Sequence, residues 1–246
     1  MESNLPVPAR ALAVAAHPDD AEFGCGGTLA KWAAQGCEIF HLICTDGSKG
    51  TWDPARRPAE LVATRRDEQR AASRALGGKG EVVFLDWPDG ELEAGLAQRL
   101  EVAAQIRRIR PDVILGHDPW KRYRLHPDHR NAGFLVTDGI VAARDPLFFP
   151  DLDFRPHRPR TLLLFEADEP DHLEDVTGFV GAKINALLEH RSQLRSTMHI
   201  ADPNALQAQD HPELIEFKTR VTDRLAGNGR EAGFAAAEAF KRIDDI

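Results

Sequence analysis

The chain has 246 residues, of which 42% are apolar and 28% charged, and it carries a formal net charge of -8. That length holds one large α/β domain or two small ones, and the acidic balance argues against a nucleic-acid partner: Arg65-Arg66 and Arg107-Arg108 have acids close by and read as solvated helix faces. No apolar run reaches the roughly 18 residues of a membrane span, and Met1 to Pro6 lacks the basic and apolar segments of a signal peptide, so a cytoplasmic chain without membrane insertion is expected.

Ala11 to Ala16 is a short apolar run ending at His17, suited to a buried parallel strand. Gly24, Gly26 and Gly27 precede a helix-like stretch that begins at Thr28 and is closed by Gly36. These glycines do not form the G-x-G-x-x-G of a nucleotide loop; close helix–sheet packing, or room for the backbone near a ligand, accounts for them better. Ile39 to Cys44 predicts a second strand, with Thr45-Asp46-Gly47 as the turn after it. Ala59 to Leu76 predicts a helix ended by Gly77-Gly78, Val82 to Leu85 a third strand, Leu96 to Ile109 a helix stopped by Arg110-Pro111, and Val113 to Gly116 a fourth strand. A helix over His126 to Ala143, a loop over Pro146 to Pro159, a strand over Leu162 to Phe165 and a helix over Val176 to Arg191 follow. The remainder reads as helical, with breaks near Pro203, Pro212 and Gly227-Asn228-Gly229. Cys25, Cys37 and Cys44 are odd in number, contain no Cys-x-x-Cys and read as free thiols, Cys25 as a small packed residue.

This alternation of strand and helix predicts an α/β fold: a Rossmann-like, doubly wound, mainly parallel sheet flanked by helices, with a helical C-terminal portion. With no linker, repeat or low-complexity tract, one domain is expected over residues 1–246, its core about 11–193 and its helical extension about 194–246.

In such sheets ligands bind beyond the carboxyl ends of the strands, where His17, Asp46, Asp86 and His117 fall. Two motifs carry the chemistry: His17-Pro18-Asp19-Asp20, followed by Glu22, and His126-Pro127-Asp128-His129. Together they offer three plausible ligands for a divalent metal with a carboxylate and an imidazole left over, the set a hydrolytic metal site needs. Helix capping explains aspartate and proline at a helix start but gives no reason for the histidine. His126 and His129, three residues apart, share a helical face, and Asp128 could orient either imidazole. His41, Trp32 and Phe40 read as core, and His117-Asp118 as pocket lining behind the ligands. Trp52, Trp87 and Trp120 lie on loops after strands, open to stacking on a sugar ring or to plain loop packing; His157, His172, His199 and His211 have no partner cluster and read as surface residues.

At these motifs the sequence resembles the PIG-L/LmbE-like family of zinc-dependent N-acetylglucosaminyl deacetylases. The resemblance is carried by Ala16-His17-Pro18-Asp19-Asp20-Ala21-Glu22-Phe23-Gly24, by Thr45-Asp46-Gly47, by Arg65-x-x-Glu68 with Ala72 and Leu76-Gly77, by His126 to His129, and by Lys183 with His190-x-Ser192-Gln193, so that it spans roughly residues 11 to 193. The one-residue insertion in Asp20-Ala21-Glu22 is similar to the bacillithiol- and mycothiol-type bacterial branch. Two residues before His126, where some members have a tyrosine, this chain has Arg124; Tyr123 is its only tyrosine.

The resemblance implies His17, Asp20 and His129 as metal ligands, Asp19 as general base and His126 as an imidazolium that stabilises the oxyanion. It implies that Arg65, Glu68 and Asp89 frame the substrate pocket. The cofactor it implies is Zn2+, with Fe2+ also compatible with two histidines and a carboxylate. The reaction it implies removes an acetyl group from an N-acetylated amino sugar or its glycoconjugate, a small-molecule substrate, and a homo-oligomer is compatible with it. An amidase for a mycothiol- or bacillithiol-type conjugate, and an inactive sugar- or nucleotide-binding module, are the alternatives.

Overall fold

The computed structural model describes residues 2–202 and 204–246; Met1 and the expected break at Pro203 lie outside the described residues. In chain order the elements are β1 (Glu2–Ser3), β2 (Arg10–Ala15), α1 (Asp20–Ala34), β3 (Glu38–Thr45), α2 (Pro58–Ala75), β4 (Val82–Trp87), α3 (Leu96–Ile109), β5 (Val113–His117) and α4 (Pro127–Arg144), then β6 (Thr161–Phe165), β7 (His172–Asp175), α5 (Val180–Glu189), α6 (Pro212–Gly229) and β8 (Ala237–Asp244). The strands form one sheet in the order β1-β7-β8-β6-β5-β2-β3-β4, in which only β8, lying between β6 and β7, runs antiparallel to its neighbours.

The period-2 alternation of a strand decides how β2 is covered. Ala11, Ala13 and Ala15 face α1 with Cys25, Leu29 and Trp32. Leu12, Val14 and Ala16 face α3 and α4 with Val102, Ile106, Leu135 and Val136. Both faces are dry, as a doubly wound parallel sheet requires. Each fully buried Leu, Ile or Val side chain contributes roughly 1.5–3 kcal/mol. From β2 the chain winds outward through β3 and β4, then returns to the other side of β2 for β5 and β6. The crevice between the carboxyl ends of β2 and β5 is the switch point where such sheets bind ligands, and His17 and His117 stand on its two sides.

α1 starts earlier than its sequence pattern suggests and runs through the glycines, with a break at Cys25 (φ -146°, ψ 17°). The second half of the helix therefore has its own N-terminus, and the Glu238 carboxylate satisfies it by accepting from Gly27 N–H at 2.9 Å and Thr28 N–H at 2.7 Å. A Cβ at Gly24 would come within 2.5 Å of the Phe165 ring, and one at Gly27 within 3.0 Å of Val176, so the glycines serve close helix–sheet packing.

The expected helical C-terminal portion contains α6, but its end is strand: β8 threads between β6 and β7. His172, expected at the surface, is instead fully buried in β7, its Nε2 2.7 Å from Glu174 Oε1. His157 and His211 are half-buried and His199 exposed. The three thiols are buried and unpaired, and burial pushes Cys37 and Cys44 up to about 12. No helix among the described residues is long and apolar enough to cross a membrane.

Candidate active site

β2 ends at Ala15 and delivers His17 to the crevice. Asp19 then takes a left-handed conformation (φ 98°, ψ -26°) as the N-cap of α1. That region costs a non-glycine residue on the order of 1–3 kcal/mol and persists only where the surroundings impose it. They do so here: the Asp19 backbone N–H donates to Gln69 Oε1 at 3.0 Å, and the Arg65 guanidinium donates to Pro18 O at 2.6 Å. The turn sends the two carboxylates to different partners, Asp20 to the imidazoles and Asp19 to Arg65.

Three donors converge. His17 Nδ1 lies 3.2 Å from His129 Nε2 and 3.3 Å from Asp20 Oδ2, and His129 Nε2 lies 3.3 Å from Asp20 Oδ1. Ligand atoms about 2.0–2.1 Å from a tetrahedral zinc are separated by about 3.3–3.4 Å, so this set fits one face of a metal tetrahedron and leaves the fourth position open. Electrostatics agree. Burial opposes a charged His17, yet its hydrogen bonds to the Asp128, Asp20 and Asp89 carboxylates hold it well above its ordinary pKa. Burial likewise opposes a charged Asp20, yet His129 and His117 hold it well below the usual carboxylate range. The point where these side chains meet demands positive charge, which a divalent cation supplies.

His17 is steered from behind. Its Nε2 is 3.0 Å from Asp128 Oδ2 and 3.2 Å from Asp89 Oδ1, leaving Nδ1 for the donor set. Asp128 is itself fixed by Gly90 N–H at 2.6 Å and Leu92 N–H at 3.2 Å, so the loop after β4 holds the carboxylate that holds the histidine. Of the two imidazoles Asp128 could orient, it takes His17. Asp89 also accepts from Lys49 N–H at 3.0 Å.

Asp19 is buried beside Arg65, whose nearest nitrogen is 3.5 Å from Oδ2. Burial pushes its carboxyl up to about 6, Arg65 opposing and Asp20 adding to the rise. Behind it runs a dry polar network. Gln69 Nε2 donates to Glu22 Oε1 at 2.8 Å, and His190 Nε2 sits 3.3 Å from Glu22 Oε2. Glu22, Gln69, His41 and His190 are all fully buried.

The open side of the cleft, about 330 Å³ in volume, is lined by His17, Asp19, Asp20, Lys49, Gly50, Arg65, Asp89, Gly90, His126, His129, Gln193 and Thr197. His126 is exposed there, its ring 4.6 Å from that of His17 and 4.8 Å from that of His129. Partial desolvation, with His17 and His129 adding, lowers its pKa from the ordinary imidazole value. His117 Nε2 is 3.2 Å from Asp20 Oδ2, behind the donor set as expected.

Of the residues expected to frame the substrate, Arg65 and Asp89 line the cleft, whereas Glu68 is spent on Ser192, accepting from its N–H and its hydroxyl, both at 2.7 Å. Asp46 ties the loops together by accepting from Ser48 and Asp89 N–H, and Asp86 pairs with Arg66 outside the cleft. Trp52 and Trp120 are 67% and 58% exposed, and Tyr123 is 91% exposed, free of the site.

Sequence reasoning gave no role to Gln69, Arg124 or Glu166. Gln69 was legible from spacing: Arg65, Gln69 and Ser73 are four apart and share the buried face of α2. Arg124 Nη1 lies 2.6 Å from Glu166 Oε2, 3.0 Å from His129 Nδ1 and 3.5 Å from His117 Nδ1, so a guanidinium fills the centre of a second cluster of His117, His129 and Glu166. No spacing in the sequence joins Glu166, at the end of β6, to Arg124.

Residues 12–140 match the PIG-L family, described as GlcNAc-PI de-N-acetylase. The chain is 34% identical over 189 residues to a diacetylchitobiose deacetylase of Thermococcus kodakarensis, a match covering 75% of this chain and 70% of that one. It is 30% identical over 241 residues to a 1D-myo-inositol 2-acetamido-2-deoxy-alpha-D-glucopyranoside deacetylase of Actinosynnema mirum, covering 77% and 82%. Among solved structures, the N,N'-diacetylchitobiose deacetylase of Pyrococcus horikoshii complexed with its inhibitor MPG superposes with a TM-score of 0.85 at 28% identity, over 96% of this chain and 84% of that one. The shared fold, the family match and the conjunction of both histidine motifs at one crevice place this chain in the PIG-L family of de-N-acetylases.

Proposed function

We propose that the chain is a metal-dependent N-deacetylase acting on N-acetylated amino sugars, with zinc as its metal and Asp19 and His126 as its catalytic residues. One observation carries the residue assignment: three donors from two distant motifs meet at 3.2–3.3 Å, with a second, buried carboxylate on one side and a free imidazole on the other. His17, Asp20 and His129 would hold the ion. Zn2+ suits this set; Fe2+ suits it too, and anaerobic reconstitution with each separates them.

A bound divalent metal supplies Lewis acidity to the amide carbonyl and to a water, whose pKa falls toward about 7. Asp19, buried beside Arg65, would accept a proton from the attacking water as its oxygen adds to the carbonyl carbon. His126 donates its N–H to the oxyanion, a contact of a kind whose loss costs about 10²–10³ in rate. The proton held on Asp19 passes to the amine nitrogen as the C–N bond breaks, giving acetate and a free amino sugar. Arg65 anchors Asp19 throughout.

The test is release of acetate from N-acetylglucosamine and diacetylchitobiose, with metal content measured alongside. Asp19→Ala should retain the metal and lose turnover by about 10²–10⁴-fold. Unchanged turnover rejects Asp19 as the base. A chelated sample that keeps full turnover rejects the metal-dependent reading.

A further inference from the structure

A second cavity, about 340 Å³, lies beside the cleft, and Thr197 lines both. One wall is a single face of α6: Phe217, Arg220, Val221, Arg224, Leu225 and Asn228 recur at helical spacing, so apolar and cationic side chains alternate along it. Lys121 and Glu166 stand in the same lining. Glu166 also connects the cavity to the donor set, through Arg124 to His129.

The charges in this lining do not balance. Lys121, Lys183, Arg220 and Arg224 face only Glu166 and Glu238. Glu238 is already neutralised by Lys183 at 2.5 Å, and Glu166 by Arg124 at 2.6 Å, with Arg224 left at 3.8 Å. Arg220 has its own carboxylate in Glu216, at 2.9 Å. Arg224 and Lys121 therefore present positive charge over an apolar floor of Phe217, Val221 and Leu225. A neutral ligand gains nothing from that pairing, whereas an anion on a partly apolar frame uses both halves.

We propose that this cavity is a second substrate subsite, which takes an anionic group, carboxylate or phosphate, borne by the part of the acetylated amino sugar that extends out of the cleft. The proposal rests on the deacetylase reading for what enters the cleft, but not for what the cavity binds. Arg224 supplies the principal charge–charge contact and Thr197 the continuous wall between the two spaces.

The experiment compares three probes with the metal-loaded full chain: methyl β-N-acetylglucosaminide, its carboxymethyl counterpart, and N-acetylglucosamine 1-phosphate. Binding is measured by calorimetry and turnover by amine release, each at low and high salt. The anionic probes should bind about tenfold tighter than the methyl glycoside at low salt, as a charge-assisted contact predicts, and the ratio should shrink at high salt. Carboxylate and phosphate are told apart by which probe gains more. Arg224→Gln should cut the ratio to about twofold, and Arg224→Lys should keep part of it, since charge persists without the planar fork. Equal binding of all three probes, or a preference that survives Arg224→Gln and Lys121→Gln together, overturns the subsite. Anionic preference that Arg224→Gln removes, with no probe ever deacetylated, upholds the subsite and overturns the deacetylase reading.

Discussion

Gln69→Leu should separate the placing of Asp19 from its chemistry. Gln69 is fully buried and makes two hydrogen bonds: its carbonyl accepts from Asp19 N–H at 3.0 Å and its amide donates to Glu22 Oε1 at 2.8 Å. Leucine fills much of the same space and makes neither. The buried Asp19 N–H left without a partner costs about 1–3 kcal/mol, and a bond to an ionised carboxylate is worth about 1.5–3 kcal/mol. Glu22 keeps His190 at 3.3 Å, so the lower end of both ranges applies, about 2.5 kcal/mol together. For a chain of this size that lowers Tm by about 5–10 °C. The left-handed turn at Asp19 then loses a restraint that holds it against its intrinsic cost. With Asp19 as the proposed base, a displacement of about 1 Å there should cost about 100-fold in kcat. KM and metal content should hardly change, because Gln69 touches neither the donor set nor the open cleft. Steady-state kinetics, metal analysis and a melting curve on one preparation read all three. Gln69→Glu, which keeps the acceptor for Asp19, should retain more kcat than the leucine variant. A kcat within twofold of the parent, in a variant that has lost the expected stability, would refute the clamp.

Glu238→Ala should lower stability by about 3–5 kcal/mol, because it strands the buried Lys183 ammonium and uncaps Gly27 and Thr28; adding Lys183→Met should recover part of the loss in urea unfolding, and an additive pair would show the two residues are not coupled. Stability should also fall in acid through Glu174. Burial raises its pKa, but His172 and Lys31 outweigh burial and hold it below 4.5, so its contribution is present above 4.5 and lost as pH falls through the lower folded value. Urea midpoints from pH 6 to pH 3 should drop less steeply in Glu174→Gln, and an unchanged slope would remove Glu174 from the acid response.

β2 to β6 were readable in the sequence because each is a short apolar run closed by a turn signal; all but the half-buried edge strand β4 are covered on both faces. β8 was not. Its residues, Ala237 to Asp244, mix alanine with charges and read as helix, and only pairing with both β6 and β7 makes them a strand. The same insertion explains the missed start of α5. Val176 donates to Ala236 O and Phe179 closes a turn on Val176, so the expected helix from Val176 begins at Val180. His172 misled because isolation in sequence was taken for exposure, whereas its partner Glu174 lies two residues along the same strand. At the site, the histidine motifs announced themselves through chemistry packed into four residues. Arg124 did not, since a residue that positions another carries no signature until the fold brings the two together, and the spacing of Gln69 shows only that it lies on the buried face of α2.

The charge within the cleft ties these pieces into one argument. Asp19, Asp20, Asp89 and Asp128 surround His17 and its neighbours, and Arg65 is the one guanidinium set directly against Asp19, since Arg124 is neutralised by Glu166. With neutral imidazoles the group carries three excess negative charges, which is why the carboxylates raise the His17 pKa well above its ordinary value against the opposing effect of burial. A divalent cation at the donor set lets His17 be neutral and leaves a single negative charge. Asp128, Asp89 and Asp20 are each spent on His17, so the residual charge belongs to Asp19, which burial already inclines toward a proton. When Asp19 takes one, this group of charges is neutral; when it gives the proton up, the single negative charge returns. On the proposed mechanism, the carboxylate closest to balance is thus the one that would cycle, while the other three stay paired with the histidine and the cation.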